Sequence, residues 1–323
     1  MALDAFAPDD CLLARGLDND SKMHCYWNSV LQALMSSPPF TQLIFRIDSM
    51  PQINKGSFIC TFASFIRGEI TNMQLYKKYI LSLYVIGKCK EQLQELISNQ
   101  QCVSETMQYI LEIFEKCEPI TNLFTHRYLK SLICIRCKQI SNKKESGTII
   151  AINPNEDLPD TIFESAEQID DCQCDQCERK GIKQIINKLV MVPEIISIMI
   201  KKYVWENGSG KKTNDGTMFP EFITIDKFKY RSVAYINHYG NINCGHYITT
   251  ALRKVSNSTG GNNTGDNITG DNSTGGNSNS GNSNSDNSNI TKLTWVELND
   301  GIVSNATYSP GSDTYMIIYN YVE

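Results

Sequence analysis

The chain has 323 residues, 41% of them hydrophobic, and a formal net charge of −5, which suits one large domain or two ordinary ones. Its lysines and arginines are scattered, so it has no electrostatic footprint for nucleic acid. It carries twelve cysteines but no basic-then-apolar leader at its start and no run long enough to cross a membrane, so free thiols, metal ligands and a nucleophile in a reducing intracellular compartment (cytoplasm or nucleus) are expected rather than disulfides.

Residues 1–14 read as an N-terminal extension. Cys25 opens an apolar-periodic segment in which Val30, Leu31, Leu34 and Met35 share one helical face, and Pro38-Pro39 stops the run. Val103, Met107, Ile110, Leu111 and Phe114 mark another helix that ends near Pro119. Two CxxC pairs follow, Cys134-Ile-Arg-Cys137 and Cys174-Asp-Gln-Cys177, with 36 residues between the inner cysteines. Four thiolates in two such knuckles make a tetrahedral structural zinc site. Cys172 competes as fourth ligand, but Cys172-Gln-Cys174 is too short for the usual knuckle. Thr148 to Ile152 reads as a strand, so the zinc is expected to clamp the tip of an extended β-structure.

The rest of the chain reads as strands: Ile195 to Val204, Glu221 to Ile225, Ser232 to His238, Tyr247 to Leu252, Leu293 to Leu298 and Thr314 to Val322. Residues 256–289 are almost wholly Ser, Asn, Thr, Gly and Asp, with Ile268 the lone apolar residue. Such a tract cannot bury enough apolar surface to offset its chain entropy and is expected to be a disordered insertion. Strand-like flanks make it a swollen hairpin loop, and lengthening such a loop costs little. Helices first and strands after give an α+β fold.

A thiolate is the working nucleophile, and a helix N-terminus or a nearby imidazole lowers a thiol's pKa. Cys25 has the helix. Of the four histidines, His24 adjoins Cys25 too closely in sequence to reach its sulfur in the required geometry. His126 precedes an apolar stretch, and His238 and His246 lie in the strand-rich half. Asn299-Asp300-Gly301 by itself reads as a turn. A cysteine at a helix start, a distant histidine and a third polar residue give the order of a thiol protease.

At this point the residues become specific. Gly16-Leu17-Asp18-Asn19 followed by Cys25-Tyr26-Trp27-Asn28-Ser29-Val30-Leu31-Gln32 resembles the cysteine box of the ubiquitin-specific proteases. Gln100-Gln101-Cys102-Val103-Ser104-Glu105 is similar to their Gln-Gln-Asp-x-x-Glu helix start, and Ile200-Lys201-Lys202-Tyr203 to their Leu-Lys-Arg-Phe strand. Tyr235 to Tyr247 resembles their histidine box, and Trp295 to Val303 their closing segment. The series spans about residues 15 to 322. The resemblance implies a papain-like fold in one catalytic domain, 15–323, with a helical thumb (about 15–125) and zinc-braced fingers and palm (about 126–323).

Carried over by position, Cys25 is the nucleophile, His246 the general base, and Asn299 the residue that orients the imidazole, with Asp300 beside it a second candidate. Asn19 supplies the oxyanion donor. Gln101, Glu105, Gly245 and Tyr247 bind the substrate tail, and Cys134, Cys137, Cys174 and Cys177 hold zinc. The implied partner is ubiquitin or ubiquitinated protein, with the enzyme a monomer. The alternatives are a catalytically impaired ubiquitin-binding scaffold and a protease for another ubiquitin-like protein. Two departures stand out. Asn19 lies six residues before Cys25 instead of five, with Ser21-Lys22-Met23-His24 replacing Gly-x-Thr, and Cys102 replaces an aspartate.

Overall fold

The computed structural model describes residues 11–256 and 291–322, apart from 157, 159, 207, 208, 214, 242 and 243. The Asn/Ser/Gly tract and most of the N-terminal extension therefore lie outside the described residues. Helices come first: α1 (Cys25–Met35), α2 (Pro38–Asp48), α3 (Phe58–Arg67), α4 (Asn72–Val85), α5 (Lys90–Ser98), α6 (Val103–Ile113) and α7 (Glu118–Phe124). Strands β1 (His126–Cys134), β2 (Ile140–Gly147) and β3 (Ile150–Ile152) follow, then the short α8 (Asp160–Phe163) and β4 (Glu164–Gln173) to β5 (Lys180–Met191). The chain continues through β6 (Ile195–Ile200), β7 (Tyr203–Glu206), β8 (Ser209–Lys212), β9 (Phe222–Ile225), β10 (Phe228–Gly240) and β11 (Gly245–Ser256). It closes with β12 (Thr291–Asn299), β13 (Ile302–Asn305) and β14 (Thr314–Tyr321).

Local chemistry explains several boundaries. Pro38 stops α1 as expected, but it also opens α2, because a proline at the first helical turn gives up an N–H that would be unpaired anyway. Ser57 caps α3 by accepting from Cys60 N at 3.3 Å. Thr71 and Gln74 form a reciprocal capping box on α4. The strand expected over Ile195 to Val204 is broken at Lys201–Lys202. There Lys202 N–H turns back to Ile200 O at 2.8 Å, and the buried ammonium of Lys202 is held by the carbonyls of Asp215 and Ser312 at 2.6 and 2.7 Å.

Two larger sheets and the two-stranded β7–β8 hairpin carry the second half among the described residues. One has four antiparallel strands in the order β2-β1-β5-β4, and both CxxC pairs lie at its hairpin tips. The other runs β13-β12-β11-β10-β14-β6-β3, with β9 also paired to β10, and is antiparallel except where β3 joins β6. Side chains alternate across it. Ala234, Ile236, Tyr247 and Ala251 face the helices in one core, while Tyr230, Tyr235 and Leu252 join a second core on the other side. β11 and β12 pair in register out to Ser256 and Thr291, so the tract between them joins two adjacent strands. Residues 12–14 bond to Lys254 on β11.

Candidate active site

All eleven residues of α1 are buried, so the polar ones need partners. Asn28 Nδ2 donates to Leu17 O, Asp18 O and Asp300 Oδ1 at 3.3, 3.1 and 2.8 Å, and Gln32 Nε2 donates to Arg15 O at 2.8 Å. The helix is thus fixed before chemistry is considered, with Cys25 at its N-terminus, 1% exposed. Burial pushes the Cys25 thiol up from its ordinary value. The backbone N–H of Tyr247, the side chain of Gln100 and the N–H of Tyr26 pull it down, while the Asp300 carboxylate adds to the rise. Gln100 Nε2 donates to Cys25 Sγ at 2.8 Å and to Gly245 O at 2.8 Å. The sequence reading missed Gln100 and named its neighbour Gln101, whose amide is spent on Glu95 O and Asn99 O at 3.0 Å each.

His246 follows Gly245 at the start of β11, next to the residue whose amide reaches the Cys25 sulfur. His246 Nε2 bonds Asn299 Oδ1 at 2.7 Å. An amide oxygen only accepts, so Nε2 carries the proton and the lone pair of neutral imidazole is on Nδ1. His238, the other histidine of the strand-rich half, has its ring committed elsewhere. Its Nδ1 lies 3.2 Å from Tyr203 OH, and its ring packs so closely on Gly245 that a Cβ there would lie 2.7 Å from His238 Cε1. Burial, with Lys212 nearby, pushes His238 down to about 4.

Asp300, the second candidate beside Asn299, is bonded to other groups. Its carboxylate accepts from Asn19 Nδ2 at 2.9 Å and Asn28 Nδ2 at 2.8 Å, and its carbonyl accepts Leu17 N at 2.8 Å. The turn lies against the Gly16 backbone, where a Cβ would meet Gly301 C at 2.6 Å. Asn19 Oδ1 in turn accepts His24 N at 3.0 Å. The lengthened loop takes up its extra residue in a turn: Lys22 N bonds Asn19 O at 2.9 Å, and Lys22 is left-handed at φ 57°. Ser21 Oγ and His24 Nδ1 share a bond of 2.6 Å, and the His24 ring stands edge-on to Tyr76 at 4.7 Å.

A cleft of about 150 Å³ lies beside the thiol, lined by Gln100, Gln101, Cys102, Tyr203, His238, Gly245 and Tyr247 among others. Cys102 Sγ lies 3.0 Å from both Ser104 Oγ and Tyr315 OH. Glu105 is exposed on the first turn of α6. The Tyr247 ring is buried against His238, with centroids 4.5 Å apart.

The Sγ atoms of Cys134, Cys137, Cys174 and Cys177 lie within 4.8 Å of one another, close enough to hold a metal ion. The two pairs are conformational twins. Lys138 N returns to Cys134 O and Glu178 N to Cys174 O at 2.9 and 2.7 Å, and Lys138 and Glu178 are both left-handed. The N–H of Cys137 pulls the Cys134 thiol down to about 6, and the N–H of Cys177 lowers Cys174. Cys172, the competing ligand, sits in β4 opposite Gly181. All twelve cysteines are free thiols. Among the described residues no helix is long and apolar enough to cross a membrane.

A family model described as ubiquitin carboxyl-terminal hydrolase matches residues 15–319. Among curated proteins, the ubiquitin carboxyl-terminal hydrolase cyk-3 of Caenorhabditis elegans is 30% identical over 89 residues, 24% of this chain and 8% of that protein. Ubiquitin carboxyl-terminal hydrolase 30 of Xenopus tropicalis is 32% identical over 85 residues, 21% of this chain and 16% of that protein. The matched stretch is thus a small part of either relative. Among solved structures, the SAGA DUB module Ubp8/Sgf11/Sus1/Sgf73 bound to ubiquitin aldehyde has a TM-score of 0.69 at 17% identity, covering 99% of this chain and 71% of that one. The module bound to monoubiquitin gives 0.70 at 17%, covering 99% and 70%. At that identity the likeness shows the fold, which is the ubiquitin-specific protease fold.

Proposed function

The chain belongs to the ubiquitin carboxyl-terminal hydrolase family, and on that premise we propose that it is a deubiquitinating thiol protease, cutting the bond after the C-terminal glycine of ubiquitin through a cysteine acyl-enzyme. The observation that carries this is the meeting of α1 and β11. Cys25 opens a buried helix, its sulfur takes the Tyr247 amide, and the residue before Tyr247 is a histidine oriented by Asn299. Solved relatives are titled as bound to ubiquitin or ubiquitin aldehyde, which supports the substrate.

In this reading His246 Nδ1 takes the Cys25 proton while Nε2–H stays on Asn299. The thiolate attacks the glycine carbonyl and forms the C–S bond. Asn19 Nδ2, whose amide is held by Asp300 and has a second hydrogen to give, meets the oxyanion together with the helix N-terminus. His246 then protonates the leaving amine, and water, deprotonated by the same ring, hydrolyses the thioester. The cleft past Gln101, Gly245 and Tyr247 receives the tail, and exposed Glu105 meets its cations. Helices to about residue 125 form the thumb, and the rest of the domain to 323 forms fingers and palm, acting as a monomer in a reducing compartment.

The four-cysteine cluster suits zinc, because soft thiolates in a closed tetrahedral set select it. Its contribution would be to brace the hairpin tips of the four-stranded sheet, a different sheet from the one that carries His246. Native mass spectrometry is expected to find one zinc per chain in wild type and none in Cys134→Ser; a metal-free protein of equal stability would refute the assignment.

The test of the activity is a ubiquitin probe with a C-terminal electrophile. Wild type is expected to be labelled and Cys25→Ala not. The rebuilt loop around Lys22 favours a second reading, a ubiquitin-binding scaffold of the same fold, and unlabelled protein with intact ubiquitin binding would select it.

A further inference from the structure

We propose that Gln100 is a further catalytic residue, the side-chain donor that stabilises the Cys25 thiolate while tying the cysteine to the strand that carries His246. This rests on the reading of Cys25 as nucleophile.

Three features point to this role. First, the orientation of the Gln100 amide is fixed by its other partner. Gly245 O can only accept, so the group facing it at 2.8 Å is the NH2 and not the carbonyl. The same nitrogen is 2.8 Å from Cys25 Sγ, so an N–H points at the sulfur. Second, a donor aimed at sulfur discriminates between its protonation states. A thiol is a weak acceptor and a thiolate a strong one, so the bond favours the charged form. That counterweight is needed here, because burial raises the thiol while the helix N-terminus that would lower it has a side-chain carboxylate, Asp300, nearby. Third, the two bonds of the one NH2 group bridge the helical part of the chain, between α5 and α6, to the first residue of β11. Gln100 therefore sets the distance between the sulfur and the strand start from which His246 projects. Gln101, one position on, has the same side chain but is turned back to cap α5, so the neighbour cannot take over the role.

The charged group that acts on Cys25 is Asp300, from the turn after β12, and Gln100 is the neutral donor set between Cys25 and the start of β11. Bonds from a neutral donor to a charged acceptor are worth enough to move a thiol by about 1 pH unit.

The experiment measures the pH dependence of Cys25 alkylation by iodoacetamide, in which the thiolate sulfur displaces iodide. It is read by mass spectrometry on the Cys25 peptide of the full chain, because the other cysteines also react. In Gln100→Leu the midpoint is expected to rise by about 1 unit, roughly a tenfold slower reaction at a fixed pH below it. In Gln100→Glu, close to isosteric, it is expected to rise further, because a carboxylate replaces the donor. Unchanged midpoints in folded variants would overturn the proposal. Equal shifts in both would overturn it too, since a purely structural role has no reason to rank Glu above Leu. The readout needs no ubiquitin. Failure of the wild type to react with the ubiquitin probe would therefore refute the proposed activity while leaving this measurement to judge Gln100 alone.

Discussion

Replacing Gly16 with alanine should disable the site from outside it. A Cβ on Gly16 would lie 2.6 Å from Gly301 C and 2.8 Å from Gly301 Cα, and closer still to the carbonyl oxygen, where ordinary contact begins at 3.4 Å. All three are backbone atoms, so no side chain can swing aside, and one segment must retreat by about 1 Å. The contact pushes directly on the 299–301 turn, which Leu17 N, Asn19 Nδ2 and Asn28 Nδ2 hold through Asp300 at 2.8, 2.9 and 2.8 Å, and the displacement passes to Asn299. A shift of that size takes the 2.7 Å bond between His246 and Asn299 beyond hydrogen-bond range. A hydrogen bond to a group that becomes charged is worth about 1.5–3 kcal/mol, so kcat should fall roughly 10- to 100-fold. The strain itself should cost about 1–3 kcal/mol of stability. Gly301→Ala is the control: a Cβ on that residue meets nothing within 4 Å, although the two glycines face each other. The assay is release of a fluorophore from the ubiquitin C-terminus, with kcat and KM separated, alongside urea unfolding. If Asn299 works through His246, Asn299→Ala should lose a similar factor, and the double variant little more. A folded Gly16→Ala protein with wild-type kcat would refute the reasoning.

Two further outcomes follow from burial. Arg253, 1% exposed, donates to Gln32 O at 2.7 Å, to Gln32 Oε1 at 3.1 Å and to Met35 O. Arg253→Ala leaves Met35 O and Gln32 Oε1 without that donor and Gln32 O with Ser36 Oγ at 2.8 Å, and should cost about 2–4 kcal/mol in urea unfolding, with Arg253→Lys between the two; a loss below about 1 kcal/mol would contradict the role. His126 and His238 are pushed down to about 4 by burial, below the ordinary 6.5. Between those values the unfolded chain binds the protons, so stability should fall as pH drops from about 6.5 toward 4 and level off below. Urea midpoints across that range measure it, with a shallower slope in His126→Gln, and a flat profile would refute it.

The sequence was most legible where the candidate site falls in short contiguous boxes. Cys25 with its helix, the CxxC twins, and the strands around His246 could each be read from local spacing, and Asn299 from its place in the closing segment. The divergence of Gln100 from Gln101 could not be read, because identical neighbours are told apart only by which tertiary partner each amide finds. Asp300 stands beside Asn299 as a second candidate in sequence. The left-handed Asp300, φ 49°, is what sends its carboxylate to Asn19 and Asn28 while Asn299 keeps the imidazole. Helices α2 to α5 are not delimited by the sequence pattern for a similar reason. Their boundaries rest on caps such as Thr71 with Gln74 and on a proline that ends one helix and starts another. The strand expected through Lys202 breaks there because its apolar run continues past a lysine whose ammonium is taken by the carbonyls of Asp215 and Ser312.

The geometry of α1 against β11 explains why so much of the site's precision depends on residues remote from the sulfur. The two elements run the same way and are joined at intervals. The Tyr247 amide meets Cys25 Sγ, Thr249 Oγ1 donates to Ser29 O at 3.0 Å, and Arg253 reaches Gln32 O and Met35 O. From the first joint to the second the helix advances four residues, about 6 Å, and the strand two residues, about 7 Å. The rises match, so both joints form without bending either element. By the third joint the strand has advanced about 13 Å further and the helix only about 5 to 9 Å. An alanine or threonine at 253 could not cover that difference; a long guanidinium can, and the carbonyls at a helix C-terminus offer it partial negative charge in place of a carboxylate. The register of helix α1 against strand β11 is therefore set at both ends, by Gln100 and the Tyr247 amide at the Cys25 sulfur and by Arg253 at the far end. Loosening either end should be felt as misalignment of Cys25 and His246 before it is felt as loss of the fold.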